Sequence, residues 1–187
     1  MTSAAATGPA PTRVDADADT RDRASILIVD DRYDKRLALV TVLDDLDQDV
    51  VAVASGEDAL RAVLEQDFAV ILLDVNMPGM DGLETAALIR NRRRSAHTPI
   101  IFITADYNDE AHTAEGYSLG AVDYIGSPVV PEILRAKVRV FVDLWLLARA
   151  AKRRADEHLA LVEERAARAA AENATRRLAF LAQVSNS

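Results

Sequence analysis

The chain has 187 residues and a formal net charge of −8, with 50% hydrophobic and 28% charged residues, which suits one packed domain and an appendage. The acidity argues against a nucleic-acid-binding surface, which needs a basic patch. The absence of cysteine excludes disulfides, thiolate nucleophiles and cysteine-based metal sites. His97, His112 and His158 share no metal-ligand spacing. No apolar run reaches the ~18 residues of a membrane span, and the first residues lack a signal-peptide pattern. A cytoplasmic protein with no membrane contact is expected.

Residues 1–24 are rich in Ala, Thr, Asp and Pro, with Val14 as their one sizeable apolar side chain after Met1. Such a stretch cannot offset its ordering entropy, which predicts a disordered N-terminal arm. From Ser25 the texture changes. Ile26–Val29, Val50–Ala54, Val70–Leu73, Ile100–Ile103 and Val122–Ile125 are short, largely β-branched runs that read as strands buried on both faces. Between them lie the amphipathic stretches Tyr33–Leu46, Glu57–Glu65, Gly82–Arg93 and Asp109–Leu119. Leu37, Val40 and Leu43–Leu46 fall at helical spacing in the first, and Ser55 is placed to cap the second. Regular alternation of strand and helix predicts an α/β fold, an open parallel sheet with helices on both faces.

From Pro131 to about Val184 no further proline or glycine occurs, so one very long helix is predicted. Its first turns, with Ile133, Leu134, Val138 and Phe141, can cover the sheet. Beyond Leu147 nothing in the chain remains for it to pack on. A heptad register fits with Trp145, Lys152, Leu159, Ala166, Asn173 and Phe180 at a, and Phe141, Ala148, Ala155, Val162, Ala169 and Arg176 at d. This predicts a weak but continuous parallel coiled coil, and hence a homodimer, over residues 147–187. Arg153–Glu157, Glu164–Arg168 and Glu172–Arg176 are spaced for supporting ion pairs. The charge follows the same division: net −1 over residues 1–24, −10 over 25–146 and +3 over 147–187.

Ligands of open α/β sheets bind beyond the carboxyl ends of the strands. There the pattern puts Asp30 and Asp31 after strand one, Asp74 after strand three, Thr104 at the end of strand four, and Gly126-Ser127-Pro128 after strand five. Three carboxylates thus converge on one edge, unpaired by any lysine nearby in sequence. Such a set is costly without a hard cation, and all-oxygen ligation suits Mg²⁺ or Mn²⁺. A single Asp after a strand is more simply a turn or cap residue. Three of them, with the turn Met77-Pro78-Gly79-Met80-Asp81-Gly82, are not.

These residues carry a resemblance. Ile26-Leu-Ile-Val-Asp-Asp31, Leu72-Leu-Asp-Val-Asn-Met-Pro-Gly-Met-Asp-Gly82, Ile101-Phe-Ile-Thr-Ala105 and Gly120-Ala-Val-Asp-Tyr-Ile125 resemble the receiver domain of bacterial two-component response regulators. The resemblance implies a flavodoxin-like, five-stranded sheet of order 2-1-3-4-5 over residues 25–146. It also implies that Asp74 accepts a phosphoryl group from a histidine kinase or phosphotransfer protein. Asp30, Asp31, Asp74 and the Asn76 backbone carbonyl would hold Mg²⁺. Thr104 would donate to the phosphoryl group, Tyr124 would turn inward after it, and Asn76 and Asp106 would tune the lifetime of the acyl phosphate. Aspartyl phosphorylation would be self-catalysed, with no separate catalytic domain.

One position departs from the family pattern. A lysine usually precedes the proline after strand five, and here Ser127 stands there. A short neutral hydroxyl cannot replace a point charge, and losing one cation from such a site slows phosphoryl transfer. Two readings stay open: a weaker acceptor, or a pseudo-receiver acting as a constitutive docking scaffold. The tail leaves open both a receiver with its linker from a longer protein and a stand-alone receiver with a dimerising helix. His158 lies outside the seam and reads as an exposed histidine, and Arg90-Asn-Arg-Arg-Arg94 as a solvated helix end.

Overall fold

Each short apolar run ends in a polar or turn residue, and each becomes a strand: β1 (Ser25–Val29), β2 (Asp49–Val53), β3 (Val70–Asp74), β4 (Ile100–Thr104) and β5 (Asp123–Gly126). The computed structural model describes residues 22–104 and 123–185. The strands form one parallel sheet of order β2-β1-β3-β4-β5, the flavodoxin-like arrangement. The helices are α1 (Tyr33–Asp44), α2 (Gly56–Glu65), α3 (Gly82–Arg90) and α4 (Pro131–Ser185). The helix expected over residues 109–119 lies outside the described residues, as do residues 1–21.

Alternation along the strands divides the core in two. Ile26 and Ile28 of β1 pack with Leu39 and Leu43 of α1 and with Leu134, Val138 and Val142 of α4. Leu27 and Val29 pack instead with Ala59 and Val63 of α2 and with Ala86 and Ile89 of α3. A strand covered on both faces has no polar side, which is why β1, β3 and β4 read as unbroken apolar runs. β2 departs from the expected double burial. It is the edge strand, and Asp49 and Ala52 are exposed while its valines are half-buried.

Local chemistry sets the helix ends. Ser55 caps α2 as expected, its Oγ accepting from the Asp58 amide at 3.1 Å and donating to Asp58 Oδ2 at 2.9 Å. Asp81 caps α3 through the Glu84 amide at 2.8 Å. α3 stops at Arg90, short of the expected Arg93, because the following turn bonds back onto it. Ser95 Oγ donates to the Ile89 carbonyl at 2.9 Å, and Arg90 Nη1 donates to the carbonyls of Ala96 and Thr98 at 2.9 and 2.6 Å. The basic island is therefore only partly a solvated helix end: Arg90 is a half-buried clamp, and Arg94 bonds Asp67 at 2.6 Å. On α1 the buried stripe runs through Leu39 and Leu43, whereas Leu37, expected on that face, is 53% exposed.

α4 is one helix of 55 residues, about 80 Å long. Leu134 and Val138 are fully buried against the sheet, but Ile133, expected to join them, is half exposed. From residue 151 onward every described side chain is exposed. The expected ion-pair spacing is not used as foreseen: Arg153 pairs with Asp22 at 2.8 Å and Arg168 with Glu172 at 3.3 Å. The end of the expected arm is also ordered. Ala24 is fully buried, its amide donates to Gln48 Oε1 at 2.7 Å, and Arg23 pairs with Asp47 and Asp49. No helix among the described residues is long and apolar enough to cross a membrane.

The two faces of α4 predict opposite mutational costs. Leu134→Ala, at 0% exposure, should lower unfolding free energy by about 2–5 kcal/mol. Leu144→Ala, at 59% exposure, should cost under about 0.5 kcal/mol. Urea denaturation of both variants checks the assignment of faces.

Candidate functional site

The parallel register carries the two decisive carboxylates to one place. Val29 of β1 lies opposite Leu73 of β3, so Asp30 and Asp74 emerge side by side where the strands end. Both continue the alternation facing α1 and α4, since Ile26, Ile28, Val70 and Leu72 belong to that half of the core. Asp30 is 1% exposed and Asp74 3%. With Asp31, which is more open to solvent, each offers an oxygen within 4.8 Å of the others.

Their partners are few. Asp30 Oδ1 accepts from the Arg32 amide at 2.9 Å, while its Oδ2 is buried with no hydrogen-bond partner. Asp74 Oδ1 accepts from the Asn76 amide at 3.4 Å. Burial, reinforced by the Asp74 charge, pushes the Asp30 carboxyl above its ordinary value against the pull of the Arg32 amide and of Lys35. One expectation fails here: a nearby lysine does pair with the cluster. Lys35, on the first turn of α1, places Nζ 3.4 Å from Asp74 Oδ2 and 3.8 Å from Asp30 Oδ2. Its place one helical turn past the strand-end Asp pair lets the side chain point back over the strand ends.

Thr104 is buried at the end of β4, and Tyr124 is buried on β5 with its ring 5.3 Å from that of Phe102. Ser127 is tied to this edge by its amide, which donates to the Thr104 carbonyl at 2.8 Å, and the Ser127–Pro128 peptide is cis. Asn76 is exposed beside Asp74, and Asp106 lies outside the described residues. The β3–α3 turn that follows Asp74 needs its glycines. Gly79 has φ +80, and a Cβ at Gly82 would meet the Asp74 carbonyl oxygen at 2.2 Å and Val75 Cα at 2.8 Å. α3 therefore starts in close contact with the strand that carries the acidic residue.

The family model of the response regulator receiver domain matches residues 26–139. The chain belongs to the response regulator receiver domain family. This receiver is 38% identical over 118 residues to the transcriptional regulatory protein GltR of Pseudomonas aeruginosa, a match covering 63% of this chain and 48% of GltR. It is 39% identical over 115 residues to AfsQ1 of Streptomyces coelicolor, also a transcriptional regulatory protein, covering 62% of this chain and 49% of AfsQ1. The chain therefore spans about half the length of these curated relatives. Among solved structures, chemotaxis protein CheY4 of Vibrio cholerae aligns with a TM-score of 0.61 at 31% identity, over 64% of this chain and 98% of CheY4. The receiver domain of sensor histidine kinase PA1611 from Pseudomonas aeruginosa, with a magnesium ion coordinated in its active-site cleft, aligns at 0.60 and 26% identity, over 65% of this chain and 98% of that one.

The donor set of this receiver fits a hard divalent cation: all oxygen, clustered, and containing one buried oxygen that no protein group satisfies. The raised Asp30 carboxyl gives a pH-dependent test. A carboxyl raised in the folded state binds its proton more tightly there than in the unfolded chain. Its ionisation therefore costs stability, fully above the raised value and not at all below the ordinary 3.8. In chelator at pH 7, Asp30→Asn should raise the denaturation midpoint, and the gain should shrink as pH falls toward 3.8. Thermal melts across that range check both features.

Proposed function

We propose that this receiver is a phosphoacceptor switch in which Asp74 takes a phosphoryl group from a histidine kinase or phosphotransfer protein. The observation that carries the reading is the buried Asp30–Asp74 pair, whose oxygens lie with that of Asp31 within 4.8 Å and include one unsatisfied atom. Asp30, Asp31, Asp74 and the Asn76 backbone would hold Mg²⁺, as the magnesium-bound PA1611 receiver suggests by likeness. Bound there, the cation supplies neutralisation of carboxylate and phosphoryl charge. The chain's own residues do the rest by position. Asp74 presents a carboxylate oxygen as nucleophile, oriented through Oδ1 by the Asn76 amide. Thr104 would offer a hydroxyl to a phosphoryl oxygen from the end of β4, and Tyr124, packed on Phe102, would be the side chain that follows that contact. Asn76 and Asp106 would set how readily water reaches the acyl phosphate.

A second reading, the constitutive docking scaffold, rests on Ser127 at the usual lysine position. Incubation with phosphoramidate and Mg²⁺ separates the two. Wild-type chain should gain the mass of one phosphoryl group, and Asp74→Asn should gain none. Absence of labelling from both this small donor and a cognate kinase would leave the scaffold reading in possession.

The exposed length of α4 supports a homodimer. Ala148, Ala155, Leu159, Val162, Ala166, Ala169 and Asn173 are all exposed, as expected of a seam seen without its partner. Trp145 opens the seam half-buried, with the Arg149 guanidinium 4.9 Å from its ring centre. Helices in proteins draw most of their stability from packing of an apolar face, so a second copy would stabilise the tail. Light scattering should report a dimer for the full chain and a monomer for a chain ending at Leu147. A truncated chain that dimerises equally well would exclude the coiled coil as the interface.

A further inference from the structure

We propose that Lys35 of α1 supplies the phosphoryl-facing positive charge that the Ser127 position lacks, so that the cation of this site enters from the first helix instead of from the end of β5. The inference rests on the phosphoacceptor reading of Asp74. Three observations carry it. The Lys35 ammonium bridges the site's two buried carboxylates, at 3.4 Å from Asp74 and 3.8 Å from Asp30, with its side chain 29% exposed. It also borders a cavity of about 300 Å³ lined by Asp30, Leu39, Ile103, Ser127 and Pro128. That cavity lies between α1 and the end of β5, with Ser127 in its lining. Finally, the neighbouring cations are committed elsewhere. Arg32 pairs with Asp34 at 2.6 Å, and Arg36 donates to the Asp30 carbonyl at 2.7 Å with its guanidinium near the Tyr33 ring. Among the described residues, Lys35 is the cation whose charge reaches Asp74.

The chemistry follows from this placement. In labelling by N-protonated phosphoramidate, an Asp74 carboxylate oxygen forms the new O–P bond while the P–N bond breaks. The nitrogen leaves as ammonia with that electron pair. Before the step the Lys35 ammonium offsets the repulsion between Asp30 and Asp74. After it, Asp74 carries a phosphoryl dianion, and the ammonium is the nearest mobile charge to pair with its oxygens. A compact charge on a four-carbon stem can follow the charge it serves, and the cavity beside Ser127 gives it room. The same position makes Lys35 a competitor of a divalent cation, because both neutralise the same carboxylates.

The two roles predict opposite signs when the charge is removed. In the 187-residue chain, Lys35→Ala and the length-preserving Lys35→Gln should bind Mg²⁺ about fivefold more tightly by calorimetry. At saturating Mg²⁺ both should be labelled by phosphoramidate about a hundredfold more slowly, followed by intact mass. Adding Ser127→Lys to Lys35→Ala should restore labelling to within about tenfold of wild type, a rescue that a merely structural role would not produce. Variants labelled at the wild-type rate, with wild-type protein itself labelled on Asp74, would overturn the assignment of Lys35 alone. Wild-type protein that binds Mg²⁺ but is never labelled would overturn the phosphoacceptor reading, and the role of Lys35 with it. Mg²⁺ affinity unchanged in both variants would remove the competition between ammonium and metal.

Discussion

Two carboxylates buried side by side are the constraint around which the rest of this receiver is arranged. Asp30 and Asp74 leave water at the ends of adjacent strands, and neither like-charge repulsion nor desolvation is fully offset by hydrogen bonds. The packing on every side keeps them there. β1 and β3 are central strands covered on both faces, and the turn after Asp74 closes with Gly82 against the strand backbone. A fold that holds an unfavourable charge pair this rigidly has stability elsewhere to oppose it, in the two apolar clusters flanking the sheet. The unfavourable interaction marks where a neutralising charge would have most leverage on the folded state.

The strands were legible because a parallel sheet buries both faces and leaves uninterrupted apolar runs. That rule located β1, β3 and β4 to within a residue at each end. It overstated β2, whose composition is that of a buried strand although its place is at the edge. Asp30, Asp31 and Asp74 were legible for the same reason, as polar residues that end apolar runs, and Ser55 through its capping chemistry. Lys35 was not. Family likeness places a lysine after β5, and the serine there reads as a loss. Only the orientation of α1, which no residue pattern encodes alone, turns the side chain over the strand ends. Leu37 and Ile133 escaped similarly, because a helical stripe shows that a face is apolar without fixing its angle to the sheet.

The arginines after α3 carry a related lesson. Clustered basic residues read as a solvated surface, yet Arg90 spends its donors on the carbonyls of Ala96 and Thr98. Those carbonyls lie in the turn that leads into β4. A guanidinium presents several donors in a fixed fork, so it can tie down a turn that lacks regular backbone pairing. The strand that brings Thr104 to the functional edge is thus anchored at its opposite end by a residue that counts, in any tally of charge, as surface.

α4 begins in the core and ends far outside it without a break. Leu134, Val138 and Val142 seat its base on the face of the sheet that carries Asp30 and Asp74, while the length beyond Leu147 is a lever arm. A 5° tilt of the seated turns would carry the far end of this arm sideways through about 5 Å at ~1.5 Å of rise per residue. That sideways distance is about half the 8–10 Å that separates the axes of two packed helices. Tip displacement for a given tilt is set by helix length alone, so a shorter or longer arm would rescale it without altering the acidic edge.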